Sequence, residues 1–138
     1  MKLIAHVDGS SMGNPGESGY GIVLKDENGK TIEAIGRYIG TATNNIAEYS
    51  GLLNCLKVAR KYQVGSIKVF SDSLLMVNQL NGSYKVKNKG LKTIFVEIQN
   101  FLKKENIQLE IVHVPRDQNR DADKLARRAV LLQKDISE

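Results

Sequence analysis

The order in which two apolar periodicities follow one another constrains this chain more than any other feature. Apolar residues fall in short runs over residues 2–8, 20–25 and 31–39, then recur at helical spacing after Asn45. Short runs of that kind mark strands, and a 3.6-residue period marks a helix. Residues 9–19 hold four glycines and a proline and are expected to form a loop. Asp26-Glu27-Asn28-Gly29 is a turn signal, so the second and third runs form a hairpin. Thr41–Asn45 offers several N-cap candidates. A helix to about Tyr62 follows, on Tyr49, Leu52, Leu53, Leu56 and Ala59.

The remaining segments predict a strand at 66–71 and a short helix at 73–80, stopped by Asn81-Gly82. A helix at 91–103, a strand at 108–114, a loop at 115–119 and a last helix at 120–132 follow. Three meandering strands and then α–β–α–α–β–α make a mixed sheet flanked by helices. The 138 residues fit one domain, 1–138, with the last six residues expected to be a loose tail. No stretch approaches the roughly 18 apolar residues that span a membrane. The apolar part of residues 1–8 is too short for a signal peptide. A cytoplasmic location without a membrane partner or an obligate protein partner is therefore expected. The lone Cys55 excludes an internal disulfide, and its neighbours Leu52, Leu56 and Ala59 put it in a helix core. The net charge of +5 favours a polyanionic partner.

Four acids fall near the ends of elements. Asp8 closes the first predicted strand and Asp72 the fourth, where ligand sites of such sheets gather. Glu48 and Asp123 lie near the starts of two helices, each beside an apolar position. Converging carboxylates suit Mg²⁺, a hard ion that takes oxygen ligands and keeps room for water and phosphate. Two such ions roughly 4 Å apart serve phosphodiester hydrolysis. Each acid also has a local reading. Asp8-Gly9 suits a turn, Glu48 a capping box with Asn45, Asp72 an N-cap and Asp123 a helix dipole.

Several segments carry a resemblance. They are Asp8-Gly9-Ser10 with Gly13-Asn14-Pro15-Gly16 and Gly19-Tyr20-Gly21, then Thr43-Asn44-Asn45-Ile46-Ala47-Glu48, Ser71-Asp72-Ser73, and Asn119-Arg120-Asp121-Ala122-Asp123-Lys124-Leu125-Ala126. In this order, and over nearly the whole chain, they resemble ribonuclease H of type I. The resemblance implies an α/β fold with a mixed five-stranded sheet, three strands antiparallel and two parallel, flanked by helices. It implies endonucleolytic cleavage of the RNA strand of RNA–DNA hybrids with two Mg²⁺ ions, Mn²⁺ being a substitute. It makes Asp8, Glu48, Asp72 and Asp123 the catalytic metal ligands, with Asp121 the competitor for the fourth place. It also turns Gly9, Ser10, Asn14, Asn44 and Asn45 toward the substrate. Asparagine amides donate and accept, as a 2′-hydroxyl requires. Lys85, Lys87 and Lys89 are candidates for phosphate contact, or else a solvated face.

The chain departs from some family members. It has no Trp, and the connection between the helices at 73–80 and 91–103 is too short for a basic handle. No N-terminal hybrid-binding domain is expected either, since strand-like sequence begins near residue 2. The rivals are a related nuclease of the same fold with another substrate, and a non-catalytic hybrid- or RNA-binding module. His113 ends a predicted strand and reads as a packing or hydrogen-bonding residue rather than as a histidine of the loop at 115–118.

Overall fold

The computed structural model describes all 138 residues. Strands β1 (Lys2–Gly13), β2 (Gly16–Lys25) and β3 (Thr31–Ala42) form an antiparallel meander. Helix α1 (Asn44–Arg60) leads to β4 (Ser66–Ser71), then to α2 (Leu74–Leu80) and α3 (Lys89–Glu105). Strand β5 (Gln108–His113), a 3₁₀ turn at Arg116–Gln118, α4 (Arg120–Leu132) and β6 (Ile136–Ser137) complete the chain. The sheet order is β5-β4-β1-β2-β3-β6, with β4 parallel to both β1 and β5. The mixed α/β fold is the expected one, with a sixth short strand added at the β3 edge.

Residues 9–19 are not a loop, as their glycines suggested. They are the extended arms of the first hairpin, with Gly9 opposite Tyr20, Ser10 opposite Gly19, and Gly13 opposite Gly16. Only Asn14-Pro15 turns. Two of the glycines in this hairpin are there for space. A Cβ on Gly9 would stand 2.5 Å from the Glu48 amide nitrogen, and one on Gly21 would strike the carbonyl of Ala122. The two helices that carry acids approach the sheet backbone from opposite faces at these points, and glycine is the residue that admits such an approach.

The expected loose tail is also corrected. Ile136 pairs with Gly36, the Glu138 amide donates to Ala34, and Asp135 accepts from the Tyr38 amide at 3.0 Å. A two-residue strand carries no periodic signal, so the sequence pattern does not reveal it.

Helices α1 and α3 cover one face. Leu3, Ala5, Val7, Ile22 and Leu24 meet Tyr49, Leu52, Leu56 and Ile98 in the main core, where Cys55 is also fully buried. Helix α4 covers the other face with Ala122, Leu125, Ala126, Ala129 and Val130. Three of these five are alanines, so α4 sits close over Gly19, Gly21 and Gly36 and holds by dense packing more than by large side chains. Thr43, Ser73 and Asn88 cap α1, α2 and α3 through their side chains, satisfying helix-end amides.

Candidate active site

Asp8 lies in the middle of β1, not at its end. It is the second residue after the parallel pairing with β4 stops at His6 and Phe70, and it faces Gly21 of β2. Asp72 follows the last residue of β4, on the same side of that pairing. Glu48 enters from α1, five positions into the helix that starts at Asn44. Carboxylate oxygens of Asp8, Glu48 and Asp72 all lie within 4.8 Å of one another. Asp8 and Glu48 are each only 4% exposed, and Asp72 is half-buried.

The Gly9 amide donates to Glu48 Oε1 at 3.0 Å, so the backbone next to Asp8 fixes one oxygen of the neighbouring carboxylate. Glu48 Oε2 is buried with no hydrogen-bond partner. A buried carboxylate oxygen facing two further carboxylates is costly unless a cation shares the site. Burial first, and then the charges of Glu48 and Asp72, raise the Asp8 pKa well above the carboxylate range. Burial likewise raises Glu48, against the Gly9 amide, with further upward pushes from Asp72 and Asp123. The donor set is all carboxylate oxygen, which suits a hard divalent ion such as Mg²⁺ and not a soft metal.

These acids open into a cavity of about 590 Å³. Gly9, Ser10 and Asn44 line it, as expected, together with Asp123. Asp123 is not within 4.8 Å of all three, yet it interacts with Asp8 closely enough to raise the Asp8 pKa further, and Arg127 Nε donates to Asp123 Oδ1 at 3.2 Å from one turn along α4. Asp121 lies instead on a smaller cavity with His6, Lys25 and Arg120, away from the trio. Asn14 does not line the large cavity but accepts the Asn44 amide at 3.1 Å, tying the hairpin turn to the start of α1. Asn45 is exposed and also off the cavity wall. Lys85, Lys87 and Lys89 are exposed outside it. His113 is exposed at the end of β5 opposite Ser71.

Three residues around the site are not among the candidate site residues that the sequence offers. Arg116 and Arg127 line the acidic cavity and bring positive charge to it. The i,i+4 spacing of Asp123 and Arg127 is the available signal. Asn119, 1% exposed, donates from Nδ2 to the Val7 carbonyl at 2.8 Å, and its Oδ1 lies 3.2 Å from His6 Nδ1. His6 in turn stacks on Phe70. Nothing in the local sequence distinguishes Asn119 from an ordinary helix cap, since its partners lie on β1.

A six-stranded mixed sheet with helices on both faces, and carboxylates from β1, α1 and the residue after β4 gathered beyond the β1–β4 pairing, defines the ribonuclease H-like class. A family model described as reverse transcriptase-like matches residues 6–129. LC11-RNase H1, solved in complex with an RNA/DNA hybrid, is 36% identical and superposes with a TM-score of 0.91, covering 95% of this chain and 98% of that one. RNase H1 from the halophilic archaeon Halobacterium salinarum NRC-1 is 34% identical with a TM-score of 0.89, covering 96% and 99%. The Bifunctional protein Rv2228c of Mycobacterium tuberculosis is 40% identical over 94% of this chain. The chain spans 36% of the length of that mycobacterial protein. The chain belongs to the ribonuclease H family, type I.

Proposed function

We propose that this chain hydrolyses the RNA strand of RNA–DNA hybrids endonucleolytically, with divalent cations held by Asp8, Glu48, Asp72 and Asp123. The observation that carries the reading is the trio of carboxylates within 4.8 Å, two of them nearly fully buried, with Glu48 Oε2 unpaired. The kinship to ribonucleases H supports the choice of substrate.

Asp8, Glu48 and Asp72 form the shared cation site, and Asp123 supplies the outer carboxylate. When bound, two Mg²⁺ ions provide Lewis acidity at the scissile phosphate, lower the pKa of a bound water and offset charge on the leaving oxygen. The chain's own residues do the rest. The Gly9 amide keeps Glu48 Oε1 oriented. Arg127 fixes Asp123 and, with Arg116, offsets phosphate charge at the cavity wall. Ser10 and Asn44 present donors and acceptors to the 2′-hydroxyl that distinguishes RNA from DNA.

The test uses labelled RNA–DNA hybrid, double-stranded RNA and double-stranded DNA, each with Mg²⁺ or with EDTA. Cleavage of the hybrid's RNA strand, abolished by EDTA, is expected. Cleavage unaffected by EDTA removes the metal mechanism, and hybrid binding without cleavage favours a binding module. Equal cleavage of all three duplexes removes the hybrid specificity.

A further inference from the structure

Between α2 and α3, residues 81–88 form neither helix nor strand, yet they are tied down. The Asn78 carbonyl accepts the amides of Ser83 at 2.8 Å and Tyr84 at 3.2 Å. Val86 packs on the main core, and Asn88 caps α3. Midway, the Lys85 carbonyl accepts from Gln79 Nε2 at 3.3 Å. Gln79 is itself buried, and its Oε1 accepts the hydroxyl of Tyr49.

Both ends of the Gln79 amide are therefore engaged, as a buried amide requires. The two partners belong to different parts of the fold. Tyr49 follows Glu48 directly in α1, and Lys85 begins the basic run Lys85, Lys87 and Lys89. Val86 is turned into the core, while Lys85 and Lys87 on either side of it are exposed. One side chain thus links the helix that carries an active-site acid to the segment that carries Lys85 and Lys87 and leads into α3 at Lys89.

We propose that Gln79 is a positioning residue for RNA–DNA hybrid binding. It holds the basic connector at a fixed place relative to the acidic trio, so that the lysines are ordered before the substrate arrives. The inference rests on the hybrid-cleaving function proposed above. Gln79 touches neither substrate nor cation and acts through Lys85, Lys87 and Lys89. Ordering a cationic segment in advance removes a cost that binding would otherwise bear. Freeing the connector leaves the carboxylates in place, so the effect falls on KM and not on kcat.

The test compares the full chain with Gln79→Met, which removes both hydrogen bonds, and Gln79→Glu, which retains an acceptor for Tyr49 but removes the Nε2 donor. KM for hybrid is expected to rise about tenfold, the scale of ordering three long side chains on binding, with kcat held within about twofold. Hybrid affinity followed by fluorescence anisotropy in EDTA, where no cleavage occurs, should depend less steeply on salt. The slope should fall by about 0.9 for each lysine that no longer neutralises a phosphate. With all three lysines changed to alanine, substituting Gln79 should add nothing. Unchanged KM and salt slope in the folded variants overturn the proposal, as does an undiminished effect in the lysine-free background. Backbone ¹⁵N relaxation of the wild-type chain is a check that needs no variant. Amides 85–88 should be as rigid as those of α3, and fast motion there overturns the proposal. A wild type that binds hybrid without cutting it removes the nuclease reading, while the anisotropy arm still decides whether Gln79 orders the lysines.

Discussion

The side-chain amide of Asn119 donates to the main-chain carbonyl of Val7 across 2.8 Å, joining the residue before α4 to the residue before Asp8. The same side chain meets His6 Nδ1 through its Oδ1 at 3.2 Å. Helix α4 is thereby pinned to β1 beside the acidic trio.

Asn119→Ala should destabilise the protein by about 2 kcal/mol, because it strands a buried carbonyl. Urea denaturation measures this. A loss below about 0.5 kcal/mol, the size of an ordinary surface substitution, would show that the pin carries no structural weight. Activity at saturating Mg²⁺ should also fall, since the pinning sets where Asp123 stands.

Asp8→Asn, Glu48→Gln and Asp72→Asn should each lower kcat by about 10³-fold or more, equivalent to several kcal/mol of transition-state stabilisation. Asp123→Asn, outside the tight trio, should cost about 10²-fold by the same measure. Asp121→Asn should cost little, because Asp121 borders a different cavity. Steady-state kinetics on folded variants checks this, and an inactive Asp121→Asn beside an active Asp123→Asn would reverse the assignment of the outer acid.

The metal-free protein should lose stability as pH rises. The folded pKa of Asp8 is raised, by burial first and then by the charges of Glu48 and Asp72. A raised acid retains its proton in the folded state above the unfolded value of about 3.9. Stability is therefore fully present below that value and is lost as pH rises toward and through the folded pKa, at about 1.4 kcal/mol per pH unit for one proton. In EDTA, thermal unfolding between about pH 5 and 8 should show a falling Tm, which Asp8→Asn flattens and raises at the alkaline end. Mg²⁺ should restore the wild type at the alkaline end. A flat wild-type profile, or an Asp8→Asn protein less stable throughout, would contradict a crowded carboxylate site.

Gly9→Ala should harm activity more than stability. Its Cβ would meet the Glu48 nitrogen at 2.5 Å and Ala47 Cβ at 2.9 Å, so the start of α1 must shift. Overpacking of this kind costs about 1–3 kcal/mol, whereas the shift also moves Glu48 away from Asp8 and Asp72. Parallel measurement of Tm and kcat checks it. Full activity in Gly9→Ala would show that the helix start yields without consequence for the site.

Much of this is legible from local pattern. Helices α1, α3 and α4 announce themselves through apolar spacing, and β4 and β5 through short apolar runs bounded by turn residues. Asp8, Glu48 and Asp72 can be picked out because each sits beside a recognisable element. The rest depends on pairings between distant segments. Gly9 and Gly19 resemble loop residues in sequence and Gly21 an ordinary strand position, but two helices pressing on the sheet explain all three, and that cannot be read one segment at a time. Asn119, Gln79 and β6 escape a sequence reading for the same reason. Their partners, Val7 and His6, Tyr49 and Lys85, and β3, are chosen by the tertiary fold.

The central position of β1, between β2 and β4, also governs when the site comes into being during synthesis. The hairpin partner of Asp8 leaves the ribosome soon after it and can pair at once. Strand β4 and Asp72 arrive some sixty positions later, and α4 follows only after residue 119. A growing chain thus exposes one orphan strand edge through much of its translation, and pairings so far apart in sequence are slow to form. A chain interrupted before residue 119 holds the three inner acids but neither Asn119 nor Asp123. On the function proposed above, hydrolytic competence is therefore deferred until α4 has docked, by which time the ribosome has read past most of the message for this domain.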